Sequence, residues 1–146
     1  MTIAFRAEGG YVAGTGNLTP SINSTQVTGD MMVCFYGTKP FSDSPTIDQG
    51  WASIGSATDG TVAAGVDTGS MKIQAFYKVA VSDTETNPPI TNTTNSVSAA
   101  VIVVFSKTAA TWETPVGSGG GDASAGTAFS VAAASDVGHT AADMVL

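Results

Sequence analysis

Cys34 and His139 are the only cysteine and the only histidine in the chain, and they limit the chemistry it could carry. A hydrolytic triad needs a base beside its nucleophile. Only His139 could serve, and it lies in Asp136-Val137-Gly138-His139-Thr140, which reads as a solvent-facing turn. No Gly-x-Ser-x-Gly elbow is present. Cys34 sits among Met32, Val33, Phe35 and Tyr36, surroundings that raise a thiol pKa and blunt its reactivity; it reads as a core thiol. One cysteine and one histidine cannot build a zinc site or an internal disulfide.

Asp43 and Asp48 flank a loop, and Asp83 and Glu85 share Ser82-Asp83-Thr84-Glu85-Thr86. Calcium takes six to eight oxygens, and no Asp-x-Asp-x-Asp-Gly spacing occurs, so loop solvation is the expected role. Gly117 to Asp122 has the glycine content of a phosphate loop without its Gly-Lys-Ser/Thr ending. The Asn-x-Ser/Thr sequons at Asn17, Asn23 and Asn92 carry little weight in so hydroxyl-rich a chain. Catalytic, metal and cofactor sites are therefore expected to be absent. Trp51, opening a segment after Gly50, is expected to plug the core. Trp112 divides between core packing and an exposed sugar-binding face, where Tyr11 would be its companion.

The elements that would position these residues are extended. The 146 residues suit one domain, and Lys, Arg and Glu, which normally clothe helix exteriors, are scarce. Tyr11–Ala13, Leu18–Ile22, Met31–Tyr36, Gly50–Ala57, Met71–Val79, Val97–Phe105 and Thr127–Ala132 read as short strands separated by Gly, Pro and Asn turns. Met31–Tyr36 has the continuous apolar run of a strand buried on both faces. In Met71–Val79, Met71, Ile73, Ala75, Tyr77 and Val79 are expected to point one way and Lys72, Gln74 and Lys78 the other, the lysines fitting a solvated face. Trp51, Ser53, Gly55 and Ala57 are expected on one face. The Val-Ile-Val-Val run makes Val97–Phe105 a central strand rather than a helix. The expected fold is all-β: an antiparallel two-sheet β-sandwich, jelly-roll-like or Ig-like, of about eight short strands.

Residues 1–10 read as an N-terminal arm, 11–135 as the sandwich, and 136–146 as the start of a second repeat or an exchanged terminal strand. The last reading rests on the echo between Asp30-Met31-Met32-Val33 and Asp143-Met144-Val145-Leu146. Five basic residues against twelve acidic leave a net charge of −7, which repels phosphate and makes nucleic acid or an anionic membrane an unsuitable partner. No apolar run approaches the ~20 residues of a membrane span. No basic segment precedes an apolar one at the N-terminus, so no secretion signal is read there.

Gly29-Asp30-Met31-Met32-Val33-Cys34-Phe35, then Gly50-Trp51, Ala75-Phe76-Tyr77-Lys78-Val79-Ala80 and the strand Ala100 to Phe105 together resemble a recurring module. It is similar to the sandwich proteins encoded among virion genes of tailed phages and prophages, over roughly residues 9–115. The resemblance implies a structural virion protein, a capsid decoration or cement protein or a tail or fibre component, assembled in the host cytoplasm and often in tandem copies. It carries over no catalytic residue. The implied partners are major capsid or tail subunits and further copies of the chain; a host glycan is the alternative for a tail-fibre module. The expected contact residues are Phe5 and Arg6 of the arm, Lys39, Pro40 and Phe41 of the proline loop, Gly119 and Gly120 of the glycine-rich connector, and Val145.

Overall fold

The computed structural model describes residues 2–39, 44–59, 71–92, 97–108 and 111–117. Every regular element among them is a strand: β1 (Ile3–Glu8), β2 (Val12–Thr15), β3 (Met31–Lys39), β4 (Thr46–Ile47), β5 (Ala52–Asp59), β6 (Met71–Val79), β7 (Ile90–Thr91) and β8 (Val97–Lys107). The protein is all-β and antiparallel. The main sheet runs β1-β8-β3-β6-β5, with β2 pairing the other half of the same β8 edge, and β4 and β7 form a separate two-stranded sheet. No helix among the described residues is long and apolar enough to cross a membrane.

β3 and β8 lie at the centre because their sequences can be buried on both sides. Side chains alternate along a strand, and here the alternation sorts two apolar clusters. Met32, Cys34 and Tyr36 of β3, Phe76 of β6, and Ala100, Ile102 and Val104 of β8 face one way. Leu18, Ile47 of β4 and Ile90 of β7 close over them, with Trp51 in the same cluster. Met31, Val33, Phe105, Tyr77 and Val79 make a second cluster on the opposite face, against which Ile54 and Trp112 pack.

Four expectations are corrected. Residues 3–8 do not stand apart as an arm: they are β1, paired with β8 from Ile3↔Lys107 to Glu8↔Val103. Leu18–Ile22 is no strand; only the bridge Leu18↔Ile90 forms, and the buried Pro20 has no N–H to continue a ladder. On β6 the lysine-bearing side is not a solvated face. Phe76, from the lysine-bearing side, is buried in the first cluster, while Met71 and Ile73 are about half exposed on the other face. Lys78 tolerates this because Glu85 pairs with it at 2.6 Å, the two side chains being only 13% and 6% exposed. In β5 the register slips between Ser53↔Phe76 and Gly55↔Ala75, so Ile54 is an inserted residue, and Ser53 and Gly55 fall on opposite faces.

Two glycines are required by geometry. The chain passes from β1 to β2 at Gly9, whose amide donates to Ile102 O, and a Cβ there would stand 1.7 Å from Ser21 O. Gly29 has φ +89° and sits in the turn closed by Asp30 N to Val27 O, a conformation L side chains disfavour.

Candidate functional site

β1 is an edge strand, and its irregularity places its most distinctive side chain. The pairing jumps from Phe5↔Phe105 to Ala7↔Val104, leaving Arg6 as the bulged residue, a device that re-aims a side chain. Arg6 turns to the loop before β3 and grips Asp30 with two nitrogens, Nε to Oδ2 at 2.7 Å and Nη2 to Oδ1 at 3.1 Å. Asp30 is buried at 3% exposure and also accepts Val27 N at 2.9 Å, so its charge is compensated by a two-pronged guanidinium. Phe5, next to it, is 60% exposed and meets Phe105 edge-on, with ring centroids 6.3 Å apart. Of the expected contact residues, these two are brought together. Lys39 ends β3, half-buried and paired with Val97. Pro40, Phe41, Gly119, Gly120 and Val145 lie outside the described residues, as do His139, Asp43 and the segments 127–132 and 136–146.

Tyr11 and Trp112, considered together as ligand-facing aromatics, stand at opposite ends of the second sheet face. Trp112 is half-buried against Met31, Val33 and Phe105. Its Nε1 donates to Gly29 O at 2.8 Å, and Lys107 Nζ stands 5.1 Å from the ring centroid, a cation–π contact. Its faces and its polar atom are thus already engaged. Tyr11 is 71% exposed and borders an open depression of about 230 Å³ lined by Phe35, Gly37, Met71, Ile73 and Val101. Sequence reasoning misses this depression. Its signal is the Met71, Ile73, Ala75 alternation, which reads equally well as the inner face of a closed core.

Among the described residues, Cys34, Asp83 and Glu85 are committed to structure. Burial pushes the Cys34 thiol up to about 12, consistent with an inert core residue. Thr28 holds Asp83 below the usual carboxylate range by donating both its amide and its hydroxyl, at 2.6 and 2.7 Å. Burial alone would raise Glu85; Lys78 and the amides of Val81 and Ser82 outweigh it and keep the carboxyl low. Asp48 is exposed beside a turn in which Gln49 and Gly50 both have positive φ. Among the described residues no group of three or more His, Cys, Asp or Glu could hold a metal ion.

The sequon asparagines are structural as well. Asn17 accepts Asn92 N at 3.0 Å, and Asn23 donates to Glu8 O at 2.7 Å. Asn92 is buried and donates to Tyr36 Oη at 3.1 Å and Ser98 Oγ at 2.8 Å. Tyr36 Oη donates to the same Ser98 oxygen at 2.8 Å, and Ser98 in turn donates to Thr38 Oγ1 at 3.2 Å. This buried relay fastens the chain after β7 to β3 and β8; satisfied in this way, buried polar groups specify one packing arrangement. Comparison with protein-family models, with curated proteins and with solved structures gives no match.

Proposed function

We propose that the chain is a structural virion protein of a tailed phage or prophage, a capsid decoration or tail-appendage component that works by protein–protein assembly. In this reading the β4–β7 layer belongs to the second sheet of a β-sandwich. The observation that carries the proposal is Phe5, a large apolar side chain 60% exposed on an edge strand, within a protein whose charged residues are only 12% of the total. An exposed aromatic beside an ion pair is suited to anchor an interface, and a sparsely charged surface packs closely with little sensitivity to salt. The bulges at Arg6 and Ile54 interrupt both sheet edges, which discourages endless strand addition and favours docking through side chains. Neighbouring capsid or tail subunits, and further copies of the chain, are the partners this implies.

A glycan-binding role has less support. Sugars need amides or carboxylates beside an aromatic platform, and among the described residues the lining of the depression at Tyr11 offers neither as a side chain. No reaction is proposed, since Cys34, Asp83 and Glu85 are each held in structural roles. The experiment is incorporation into particles by wild type and Phe5→Lys. The proposal expects wild type in intact particles and at least a tenfold lower occupancy for the variant at an unchanged melting temperature. A wild-type chain that stays a free monomer and is absent from particles would refute it.

A further inference from the structure

The two ends of the second sheet face differ. At one, Trp112 packs against Met31, Val33 and Phe105. At the other, Tyr11 is 71% exposed, Val97 65%, Ile73 50% and Met71 46%, and nothing among the described residues covers them. The depression of about 230 Å³ opens between these side chains. Its floor is low because Gly37 of β3 pairs with Ala99 of β8 on one side and with Ile73 of β6 on the other. A Cβ on Gly37 would meet nothing within 4 Å. Phe35 and Val101, directly paired, stand behind it, and Tyr11 stands at the border.

We propose that this end of the face is a self-association surface: two copies of the chain pack face to face about a two-fold axis, and the Tyr11 ring of each sits over Gly37 of the other. Three arguments favour a second copy as the occupant. A two-fold interface uses one patch twice, so that patch must hold both a projection and its receptor. Here an exposed aromatic ring borders an unfilled apolar depression, and facing sheets close to about 10 Å only when side chains of one enter gaps in the other. Charge points the same way. A net charge of −7 repels a second copy, so close contact needs an uncharged surface. Tyr11, Phe35, Met71, Ile73, Val97 and Val101 supply one, and the charged residues that share this side of the sheet, Glu8 beside Val103 and Lys39 beside Val97, fall at its margins. Area sets the strength. A few half-exposed side chains amount to some hundreds of Å² per copy, below the ~800 Å² of a standard complex and within the range of weak, reversible ones. The dimer is therefore expected to dissociate in the micromolar range.

The inference does not rest on the virion reading, and Phe5 belongs to the Trp112 end of the face. Sedimentation equilibrium of the isolated full-length protein tests it. Wild type should pass from monomer to dimer as concentration rises, and Phe5→Lys should do the same. Tyr11→Ala removes the projection. Gly37→Val fills the depression in a strand whose backbone has room for the side chain and no positive φ at this residue. Each should weaken association by about tenfold or more with an unchanged far-UV circular dichroism spectrum. Mixing the two variants is the sharper measurement. In the mixed dimer the small residue at position 11 of one copy meets the filled depression of the other, and the second contact keeps Tyr11 over Gly37. The mixture should therefore associate about fivefold more tightly than either variant alone. A wild-type chain that stays monomeric up to ~1 mM, where a micromolar dimer is saturated, would overturn the proposal. So would a dimer that neither substitution weakens, or weakened variants that do not recover on mixing.

Discussion

The two faces of the main sheet are built from the same three strands and end in different states. On the first, Met32, Cys34, Tyr36, Ile102 and Val104 are at or near zero exposure beneath Leu18, Ile47 and Ile90, and the polar atoms of Tyr36, Ser98 and Asn92 satisfy one another. On the second, Trp112 packs against Met31, Val33 and Phe105 at one end, while Met71, Ile73, Val97 and Tyr11 remain largely exposed at the other. Burial of apolar area is the main stabilising term in folding, so the first face holds most of the stability. The second face and the β1 edge are where the molecule can make contacts.

A matched pair tests this division most strongly. Met32→Ala, at 0% exposure, should cost about 2–5 kcal/mol, as buried large-to-small changes do. Met71→Ala, the same chemistry at 46% exposure on the other face, should cost less than about 1 kcal/mol. Urea denaturation of both variants checks the difference, and equal losses would erase the distinction between the faces. Gly9→Ala examines the junction where β1 passes to β2. With Ser21 O lying 1.7 Å from the new methyl, backbone must move, and a loss of about 1–3 kcal/mol is expected.

The Lys78–Glu85 pair shows how the closed face admits charge. The folded pKa of Glu85 lies below its unfolded value. Its stabilisation is therefore present above the ordinary carboxylate pKa of ~4.3 and is lost as the pH falls from there through the lower folded value. Glu85→Gln should destabilise by about 1–2 kcal/mol at pH 7, and the gap to wild type should narrow in denaturation curves recorded toward pH 3. The smallest contrast is between the tryptophans. Trp51 Nε1 is buried without an acceptor, so Trp51→Phe removes an unpaired donor and should cost little beyond lost volume. Trp112→Phe loses the bond to Gly29 O and should cost about 1 kcal/mol. Near-UV circular dichroism with thermal melts checks both and separates the core plug Trp51 from Trp112 on the second face.

What can be read from the sequence is what depends on neighbours along the chain. β3 and β8 are legible as strands because the β-branched and aromatic residues of their apolar runs outweigh Met31, Met32, Ala99 and Ala100, and Trp51 is legible as a core residue. β6 is legible as a strand whose two sides differ, but its alternation alone does not show that the lysine-bearing side, with Phe76, is the more deeply buried one. The partner that buries Lys78 is a glutamate on the following loop. β4 and β7 are two residues each, too short to leave a period. β1 is missed as a strand although Ile3, Phe5 and Ala7 alternate with Arg6 and Glu8, because its partner β8 is remote along the chain, and only the bulge and the distant Asp30 explain where Arg6 goes. The polar relay of Tyr36, Ser98 and Asn92 is hidden in a chain full of hydroxyls and amides, and Trp112 is fixed by a carbonyl 83 positions away.

The most direct measurement is hydroxyl-radical footprinting of the chain, free in solution and within intact particles. In the free chain the account predicts strong labelling of Phe5 and almost none of Met32 or Tyr36; in particles, Phe5 should become protected while Met32 and Tyr36 stay silent. Equal labelling of Phe5 in both states, or labelling of Met32 in the free chain as strong as that of Phe5, would contradict it.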